Sequence, residues 1–507
     1  MRPHSPTPKL LVDLAEHFNL ALHSETPDVL LTGITMNSRD VEQGDLYLGL
    51  PGARFHGASF AKDAVERGAV AILTDASGAV DATAAGVPVL LTPTSPRTIA
   101  GQLAAWIYGT TTDCPLTLGV TGTNGKTSTV HFLDGLLTAL GKKTGLSSTA
   151  QRRIGNDVVV SSLTTPEAPE LHGLLARMHE VGVDAAILEV SAHALTRHRV
   201  DGVVFDVAAF TNLSHDHLDD YADMDEYFEA KLSLFTPERS RKAVVSLDTA
   251  AGAAVVERTS IDVVTISSTP GVAADWVVTV TDEQPDSTGF TLASAVHGTV
   301  STRVPVIGRH MAANGGLAIA MLVEAGIPLD EIRSVLDRDG SIVATLPGRS
   351  VRIPVQNGPN VYVDSGHSPD AFAKTLESVR HLTRGRVIMV AGANGDRDAL
   401  KRPEMGREAA LGSDVLIITD HQPRSEDPAL IREAVLAGAR EAKPDGDIRE
   451  IAAPESAIRA AVAEATETDT ILWAGLAEKE YREVGGVKIP FSVLDETRAA
   501  LTEAGWI

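Results

Sequence analysis

A glycine-rich loop at residues 122–128 has the composition of a phosphate-binding site. The apolar run 116–121 predicts a buried strand, and the loop after it consists of Gly122, Thr123, Asn124, Gly125, Lys126, Thr127 and Ser128. Apolar residues at 130, 133, 137 and 140 recur near helical spacing, so we expect the loop to open a helix. In that setting the backbone N–H groups approach a phosphate, the lysine neutralises its charge, and Thr127 offers a hydroxyl to Mg²⁺.

Ionisable side chains follow two further apolar runs. Glu189 lies near the end of the run 185–190, and a polar stretch with His215 and His217 follows the run 207–212. Open α/β sheets bind ligands at the carboxyl ends of their parallel strands, and a glutamate in an apolar strand needs a partner when it is buried. Carboxylates near phosphate suit a hard ion such as Mg²⁺. A salt-bridged strand end and ordinary surface histidines are the alternatives.

The order of apolar runs along the chain suggests which strands and helices position these residues. Such runs alternate with helical patterns, which predicts parallel sheets flanked by helices. The clearest runs are 116–121, 185–190, 207–212, 387–393, 415–420 and 471–475. The length of 507 residues suits about three domains. We expect them at 1–112, 113–346 and 347–507, with a β insertion at 250–303, where Val and Thr are frequent.

Composition and charge exclude several classes of protein. The 44 Lys and Arg against 67 Asp and Glu give a net charge of −23, which opposes a nucleic acid partner. Cys114 is the only cysteine, so an intrachain disulfide and a thiolate zinc cluster are excluded. No run approaches the ~20 apolar residues of a membrane helix, and no signal peptide is apparent. We expect a cytoplasmic monomer that binds small molecules, without membrane insertion.

These segments, in this order, resemble the Mur ligase family of ATP-dependent amide-forming ligases, and most closely its MurE branch. The resemblance covers nearly the whole chain, through the stretches 35–39, 44–47, 121–127, 164–166, 189–193, 211–219, 347–349, 363–370, 395–398 and 401–403. It implies an α/β protein of three domains. These are an N-terminal domain that binds the uridine nucleotide, a central P-loop-type ATPase domain with a mostly parallel sheet, and a Rossmann-like C-terminal domain that binds the amino acid.

The resemblance also implies roles for individual residues. The catalytic residues would be Lys126, Glu189, His217 and Lys231, the last as a lysine carbamylated by CO₂. ATP would be bound by the loop residues Gly122, Thr123, Asn124, Gly125, Lys126, Thr127 and Ser128, and by Asn314, Arg349 and Asp364. Mg²⁺ would be held by Thr127, Glu189, His217 and Lys231. The uridine-linked substrate would be bound by Ser38, Thr164, Thr165, Ser191, Arg197 and Arg199, and the amino acid by Arg397, His421, Gln422, Arg424, Gly475 and Lys479.

The implied activity is the extension of UDP-N-acetylmuramoyl-L-alanyl-D-glutamate by one amino acid in peptidoglycan synthesis, through an acyl phosphate made from ATP. Closure of the C-terminal domain about residues 347–349 would align the reactants and exclude water. A MurF-type or folylpolyglutamate-type ligase is an alternative that shares the ATP loop but should lack the pattern around Ser38. A noncatalytic nucleotide-binding regulator with the same fold is a second alternative.

Two motifs depart from the family members that add meso-diaminopimelate. Those members usually carry Asp-Asn-Pro-Arg and then Gly-Lys-Gly-His-Glu, where this chain has residues 421–424 and 475–479. Two acids that would face the distal ammonium are thus replaced by His421 and Lys479, whereas Arg424 remains. Lysine, ornithine, diaminobutyrate, homoserine and diaminopimelate all stay open, although we expect diaminopimelate least. The acids that could receive an ammonium instead are Asp420, Glu426, Glu478 and Glu480.

Overall fold

The computed structural model describes residues 1–22, 28–161, 163–216, 218–476 and 480–507. It contains three large sheets, and each sheet lies within one of the three predicted segments. Helices cover the sheets, so the predicted α/β class is confirmed. The exact domain boundaries stay a prediction.

The N-terminal segment contains a five-stranded sheet in the order β2-β7-β6-β5-β4, with β4 to β7 parallel and β2 antiparallel. A two-stranded pair, β1 with β3, lies beside it. The strands are β1 (Lys9–Leu10), β2 (Ala21–Leu22), β3 (Leu30–Leu31), β4 (Gly33–Thr35), β5 (Asp45–Gly49), β6 (Ala69–Thr74) and β7 (Val89–Leu91). The helices are α1 (Leu11–His17), α2 (Ala61–Arg67), α3 (Ala79–Thr83) and α4 (Ala100–Tyr108). Helix α4 ends at Gly109, which adopts the left-handed conformation that favours glycine.

The central segment contains an eleven-stranded sheet in the order β11-β10-β9-β12-β8-β13-β14-β15-β16-β17-β18. Its strands are β8 (Leu116–Thr121), β9 (Thr144–Ser147), β10 (Gln151–Ile154), β11 (Asp157–Val160), β12 (Ala185–Glu189), β13 (Val207–Phe210), β14 (Lys242–Ser246), β15 (Asp262–Ser267), β16 (Trp276–Gln284), β17 (Ser287–Ser294) and β18 (Gly298–Val304). Its helices are α5 (Lys126–Ala139), α6 (Ala168–Glu180), α7 (Ala192–Thr196), α8 (Met224–Leu232), α9 (Ala250–Arg258), α10 (Arg309–Glu324) and α11 (Leu329–Asp339).

The middle of this sheet, from β9 to β16, is parallel, and its strands β9, β12, β8, β13 and β14 are buried on both faces. One face packs against α5 and α10, and the opposite face packs against α6 and α8. Burial on both faces is why these strands are continuous apolar runs in the sequence. Strand β8 lies between β12 and β13, so the loops after all three strands meet at one edge.

The prediction of a β insertion at 250–303 is wrong in two respects. The segment opens with helix α9, because its alanine-rich stretch favours a helix. Strands β15 to β18 then continue the central sheet, with β16, β17 and β18 joined as antiparallel neighbours. The predicted run 207–212 also ends early, at Phe210, because the next residues turn into the loop edge.

The C-terminal segment contains a six-stranded sheet in the order β19-β20-β24-β21-β22-β23, in which only β19 is antiparallel. Its strands, with a separate hairpin of β25 and β26, are β19 (Val351–Ile353), β20 (Asn360–Asp364), β21 (Val387–Ala391), β22 (Val415–Ile418), β23 (Asp447–Glu450), β24 (Thr470–Ala474), β25 (Tyr481–Val484) and β26 (Val487–Pro490). The helices are α12 (Pro369–Leu382), α13 (Arg402–Gly412), α14 (Pro428–Ala442), α15 (Pro454–Glu464) and α16 (Val493–Glu503). Within the described ranges, none of the helices is long and apolar enough to cross a bilayer.

Candidate active site

The loop between β8 and α5 has a backbone that requires its two glycines. Gly122 and Gly125 have φ angles of 145° and 91°, which L side chains rarely adopt. A Cβ on Gly122 would overlap the hydroxyl of Thr211, and one on Gly125 would crowd the side-chain oxygen of Asn314. The loop is thus pressed between the end of β13 and helix α10, with its N–H groups at the start of α5, as a phosphate site requires.

Lys126 curls back over this loop. Its Nζ donates hydrogen bonds of 2.9 Å to the carbonyl oxygens of Gly122 and Thr123. Burial lowers the pKa of Lys126, whereas the carboxylates of Glu189 and Asp216 oppose that shift. The positive charge is therefore held at the mouth of the loop, where phosphate oxygens would approach.

Glu189 and Thr127 form the oxygen-rich side of the site. Glu189 is only 1% exposed, and its carboxylate accepts hydrogen bonds from the backbone and hydroxyl of Thr149, both at 2.9 Å. Thr127 hydrogen-bonds to Glu189 and accepts a 3.0 Å bond from Arg349 Nη2. Burial raises the pKa of Glu189, and the nearby cation of Lys126 counteracts this effect. Because the donors are a carboxylate and a hydroxyl, they fit Mg²⁺.

Lys231 is not a solvated lysine. Its side chain on α8 is 1% exposed, and Nζ donates a hydrogen bond of 2.8 Å to the carbonyl oxygen of Gly122. Nζ also lies 4.3 Å from the centre of the Tyr227 ring. Burial, followed by the charge of Lys126, lowers the pKa of Lys231 well below its ordinary value. Burial therefore favours the uncharged form of this amine beneath the phosphate loop.

The C-terminal domain contacts the loop edge directly. Asp370, at the start of α12, accepts a 2.8 Å hydrogen bond from Asn124, and Lys401 forms a buried ion pair of 2.7 Å with Asp216. A cavity of about 270 Å³ lies between the loop, α10 and α12. Asn314 and Lys374 are among its lining residues. A space beside the phosphate loop that both domains line is suited to the rest of a nucleotide.

The predicted hinge has an unusual backbone. Gly348 and Ser350 both have positive φ angles, of 65° and 42°. The carboxylate of Asp364 accepts a 2.7 Å hydrogen bond from the N–H of Ser350, which holds this strained residue in place. Asp364 therefore has a structural partner in the hinge, and its contact with a ribose stays a prediction. Ser128, on the first turn of α5, is buried.

The residues predicted for the uridine-linked substrate divide into two groups. Thr165 joins Glu189 and Ser191, because its hydroxyl donates to the Glu189 carbonyl at 2.8 Å and accepts from the Ser191 N–H at 3.2 Å. Arg199 lies 3.4 Å from the carbonyl of Thr165. Thr164 accepts a 3.0 Å hydrogen bond from Thr149. These four residues therefore gather at the end of β12.

Two other residues predicted for that substrate lie apart from this group. Arg197 is exposed and pairs with Asp220 at 3.1 Å. Ser38 is half-buried in the turn that follows β4 of the N-terminal sheet. Their substrate contacts stay predictions.

Among the described residues, those predicted for the amino acid lie at the carboxyl end of the C-terminal sheet. His421, after β22, is 1% exposed, and neither ring nitrogen has a hydrogen-bond partner within the described part of the chain. Burial lowers the pKa of His421 to about 3, so the ring is neutral. Gly475, with φ 121°, leaves room for the ring, since a Cβ there would overlap it. Gln422 is buried and donates to the carbonyl of Tyr481 at 3.3 Å.

Arg424 and Arg397 supply positive charge at this edge. Arg424 donates to the carbonyl oxygens of Gly395 and Asp396, at 3.1 and 3.3 Å, whereas Arg397 is exposed. Burial, and then the charge of Arg397, lowers the pKa of Arg424. Two guanidinium groups at one sheet edge can attract a carboxylate.

His217 and Lys479, which the sequence assigns to the metal and the amino acid, lie outside the described residues. Within the described residues, no three His, Cys, Asp or Glu side chains form a metal-binding cluster. The set of metal ligands stays a prediction, and the described members Glu189 and Thr127 are hydrogen-bonded to each other.

Sequence reasoning missed several residues that the structure brings to the site. Asp216, Asp370 and Lys401 join the two domains, and Thr149 holds Glu189. Asp216, Asp370 and Lys401 lie inside stretches that carry the family resemblance, and this position could have marked them as candidate site residues. Thr149 lies outside them, and only the pairing of β12 with β9 brings it to Glu189.

Comparisons with known proteins agree with this geometry. Three family models match the chain: "Mur ligase family, catalytic domain" at residues 30–105, "Mur ligase middle domain" at 120–322, and "Mur ligase, glutamate ligase domain" at 348–476. Members of this family use ATP.

Full-length relatives are also found. A UDP-N-acetylmuramyl-tripeptide synthetase of Leifsonia xyli subsp. xyli is 51% identical over 507 residues, which is 100% of this chain and 98% of the relative. A UDP-N-acetylmuramoyl-L-alanyl-D-glutamate--2,6-diaminopimelate ligase of Streptomyces avermitilis is 40% identical, over 99% of this chain and 97% of the relative. A solved structure of a protein with this second name is 25% identical, with a TM-score of 0.66, and covers 99% of this chain and 100% of its own. The chain therefore belongs to the Mur ligase family, in its MurE branch.

Proposed function

We propose that this protein is an ATP-dependent ligase that adds one amino acid to the D-glutamate of UDP-N-acetylmuramoyl-L-alanyl-D-glutamate, in peptidoglycan synthesis. One observation carries the proposal: Lys126 and Lys231 both donate to the carbonyl of Gly122, beside the buried Glu189. A noncatalytic nucleotide-binding protein has no need of a second buried amine at that point. Because ATP and the uridine-linked substrate are cytoplasmic metabolites, we place the enzyme there, acting as a monomer.

The residues of the chain match a phosphoryl transfer followed by amide formation. The γ-phosphate of ATP passes to the substrate carboxylate, which gives an acyl phosphate and ADP. The amino group of the incoming amino acid then attacks the acyl carbon, and phosphate leaves with the electrons of the broken C–O bond. Lys126 neutralises charge on the phosphoryl oxygens, and the loop N–H groups orient them.

Mg²⁺ would be held by Thr127 and Glu189, with His217 as a further predicted ligand. When bound, the ion would offset the negative charge of the phosphate groups. Thr149 keeps the Glu189 carboxylate in one orientation through its two hydrogen bonds, and Arg349 fixes the hydroxyl of Thr127.

Lys231 is suited to carry the carbamate that its family position implies. Carbamylation requires a neutral amine: the nitrogen lone pair attacks CO₂, an N–C bond forms, and one proton leaves. Burial lowers the pKa of Lys231, which favours the uncharged form that this step needs. The resulting anion would lie near Lys126 and would attract its positive charge.

The charges at the C-terminal sheet bear on which amino acid is added. Asp420 pairs with Arg432, and Glu426 accepts hydrogen bonds of 2.8 and 2.7 Å from Arg402, so both acids are already neutralised. The neutral ring of His421 gives no negative charge to a distal ammonium. These residues give no free acid to a distal ammonium, which diaminopimelate, lysine, ornithine and diaminobutyrate all carry and homoserine lacks. All five amino acids stay open, and diaminopimelate is the one that we expect least.

The test is a product assay with separate amino acids. Purified protein is incubated with ATP, Mg²⁺, UDP-N-acetylmuramoyl-L-alanyl-D-glutamate and one candidate amino acid, and product mass and ADP are measured. We expect a tripeptide product with at least one candidate and none when the amino acid is omitted. Absence of product with every candidate would contradict the proposal. Product only with a UDP-linked tripeptide and a dipeptide, or with a folate and glutamate, would favour a MurF-type or folylpolyglutamate-type ligase.

A further inference from the structure

The carboxylate of Glu167 bridges two arginines that come from different domains. Arg97, in the turn that follows β7 of the N-terminal sheet, approaches one oxygen of Glu167 at 2.7 Å. Arg199, in the central domain, approaches the other oxygen at 3.1 Å. The two carboxylate oxygens of Glu167 thus form one ion pair each, one with Arg97 and one with Arg199. Neither Glu167 nor Arg97 has a role in the site described above.

Glu167 is itself held rigidly. It lies between Pro166 and helix α6, whose first hydrogen bond runs from the Leu171 N–H to the Glu167 carbonyl at 2.9 Å. Its side chain is 27% exposed, whereas that of Arg199 is 8% exposed. A buried guanidinium needs fixed partners, because it loses most of its contact with water. Arg199 contacts the carboxylate of Glu167 and the carbonyl oxygen of Thr165.

The junction between the domains is closely packed near this bridge. His172 on α6 accepts a 2.6 Å hydrogen bond from Thr110 and donates one of 3.0 Å to the carbonyl of Asp201. A Cβ on Gly101 of α4 would overlap that same carbonyl. Because α4 lies directly against the central domain, Arg97 is presented at a fixed position.

The local charge favours an anion. Two guanidinium groups share one carboxylate, which leaves an excess positive charge at the bridge, and the further arginine at 197 lies close enough to act on Arg199. Burial, together with these neighbouring cations, lowers the pKa of Arg199. A carboxylate of a substrate would relieve that repulsion.

We infer that Glu167 is a positioning residue that orients Arg199 for a substrate carboxylate, and that Arg97 acts through Glu167 to make the N-terminal domain part of that subsite. The inference rests on the proposed function and on the predicted binding of the uridine-linked substrate by Arg199. Thr165 continues the connection, since it bonds both Arg199 and the end of β12 that carries Glu189. The arrangement links the domain that docks the nucleotide to the strand end where the chemistry occurs.

The test uses the full chain and binding of UDP-N-acetylmuramoyl-L-alanyl-D-glutamate by calorimetry, beside steady-state kinetics. Glu167→Gln should raise the Kd and KM for this substrate about tenfold, the effect of losing a charge-assisted hydrogen bond. The kcat and the KM for ATP should stay within about twofold. If Glu167 merely repelled the anionic substrate, its neutralisation would instead tighten binding.

A double-mutant cycle tests whether Arg97 affects substrate binding through its ion pair with Glu167. Arg97→Ala should weaken substrate binding in the wild-type background and have no further effect in the Glu167→Gln background. Glu180→Gln is the matched control, because Glu180 lies at the other end of α6 and contacts the N-terminal residues His4 and Ser5. It should leave the Kd unchanged.

Unchanged or tighter binding by Glu167→Gln, or additive effects in the cycle, would overturn the inference. If Glu167→Gln does not fold, Glu167→Asp decides in its place, since its shorter side chain should reach only one arginine and weaken binding. Wild-type protein that fails to bind the substrate contradicts the proposed function. That result is distinct from one in which wild type binds and the Glu167 variants bind equally well.

Discussion

Lys231 and Gly122 are joined by a 2.8 Å hydrogen bond that brings a buried amine from helix α8 to the underside of the phosphate loop. The two residues are 109 positions apart in the sequence. The carbonyl oxygen of Gly122 accepts hydrogen bonds from Nζ of both Lys126 and Lys231. These two bonds connect the phosphate loop to helix α8.

Replacement of Lys231 should remove activity, and an added short carboxylic acid should restore part of it. Lys231→Ala should lower kcat at least about a hundredfold, because a charged group next to the phosphates is lost. A short carboxylic acid should partly restore turnover by occupying the space of the carbamate. NMR of wild-type protein in ¹³C-bicarbonate should show one carbamate signal that Lys231→Ala lacks. Full activity of Lys231→Ala would contradict the role of this residue.

Lys126→Ala should slow the phosphoryl transfer itself. We expect a fall in kcat of about 10²- to 10³-fold, since the cation at the loop stabilises charge that develops in the transition state. Lys142→Ala is the matched control, because Lys142 is exposed just beyond the other end of α5. ADP release in single-turnover experiments measures the effect. Equal rates for the two variants would rule out the proposed role of Lys126.

The contact between Asn124 and Asp370 should matter for ATP affinity and for domain closure. Asp370→Ala should raise the KM for ATP about three- to tenfold, because one hydrogen bond between the loop and α12 is lost. Asp445→Ala, at an exposed turn of the same domain, should leave it unchanged. Small-angle scattering should show that wild-type protein becomes more compact when saturated with ATP analogue and substrate. Identical scattering curves for empty and saturated protein would refute closure about residues 347–349.

The buried His172 should make stability depend on pH. Burial lowers its pKa to about 4 from an ordinary 6.5, so between these values the unfolded chain binds a proton that the folded protein does not. Stability is therefore lost as the pH falls from about 6.5 to 4. The loss is about 1.4 kcal/mol for each unit of the shift, or about 3 kcal/mol in all.

Urea denaturation measures this effect. The difference in stability between wild type and His172→Asn should narrow by about 3 kcal/mol between pH 7.5 and pH 4. Thr110→Val removes a hydrogen bond but keeps the imidazole, so its difference from wild type should change little with pH. A constant difference for His172→Asn would show that this histidine does not carry the pH dependence.

Much of the site was predictable from local sequence. The loop 122–128 was recognisable because its glycines, lysine and helix pattern are contiguous, and the position of Glu189 at a strand end followed from a single apolar run. The family resemblance singled out Lys231, whose own surroundings in the sequence resemble those of an ordinary surface lysine. Strand ends were predicted one or two residues too long, because apolar character continues into the turns that form the site.

The phosphate loop, the buried parallel strands and the order of three α/β segments are encoded locally, because each depends on residues close together in the chain. Which distant side chains meet depends on the packing of the folded chain. Burial of Lys231, the pairing of Lys401 with Asp216, and the bridge from Arg97 through Glu167 to Arg199 all depend on how helices and domains pack. The surroundings of an ionisable side chain shift its pKa and supply its partners. The pKa shifts and ion pairs of these residues could therefore not be obtained from the sequence alone.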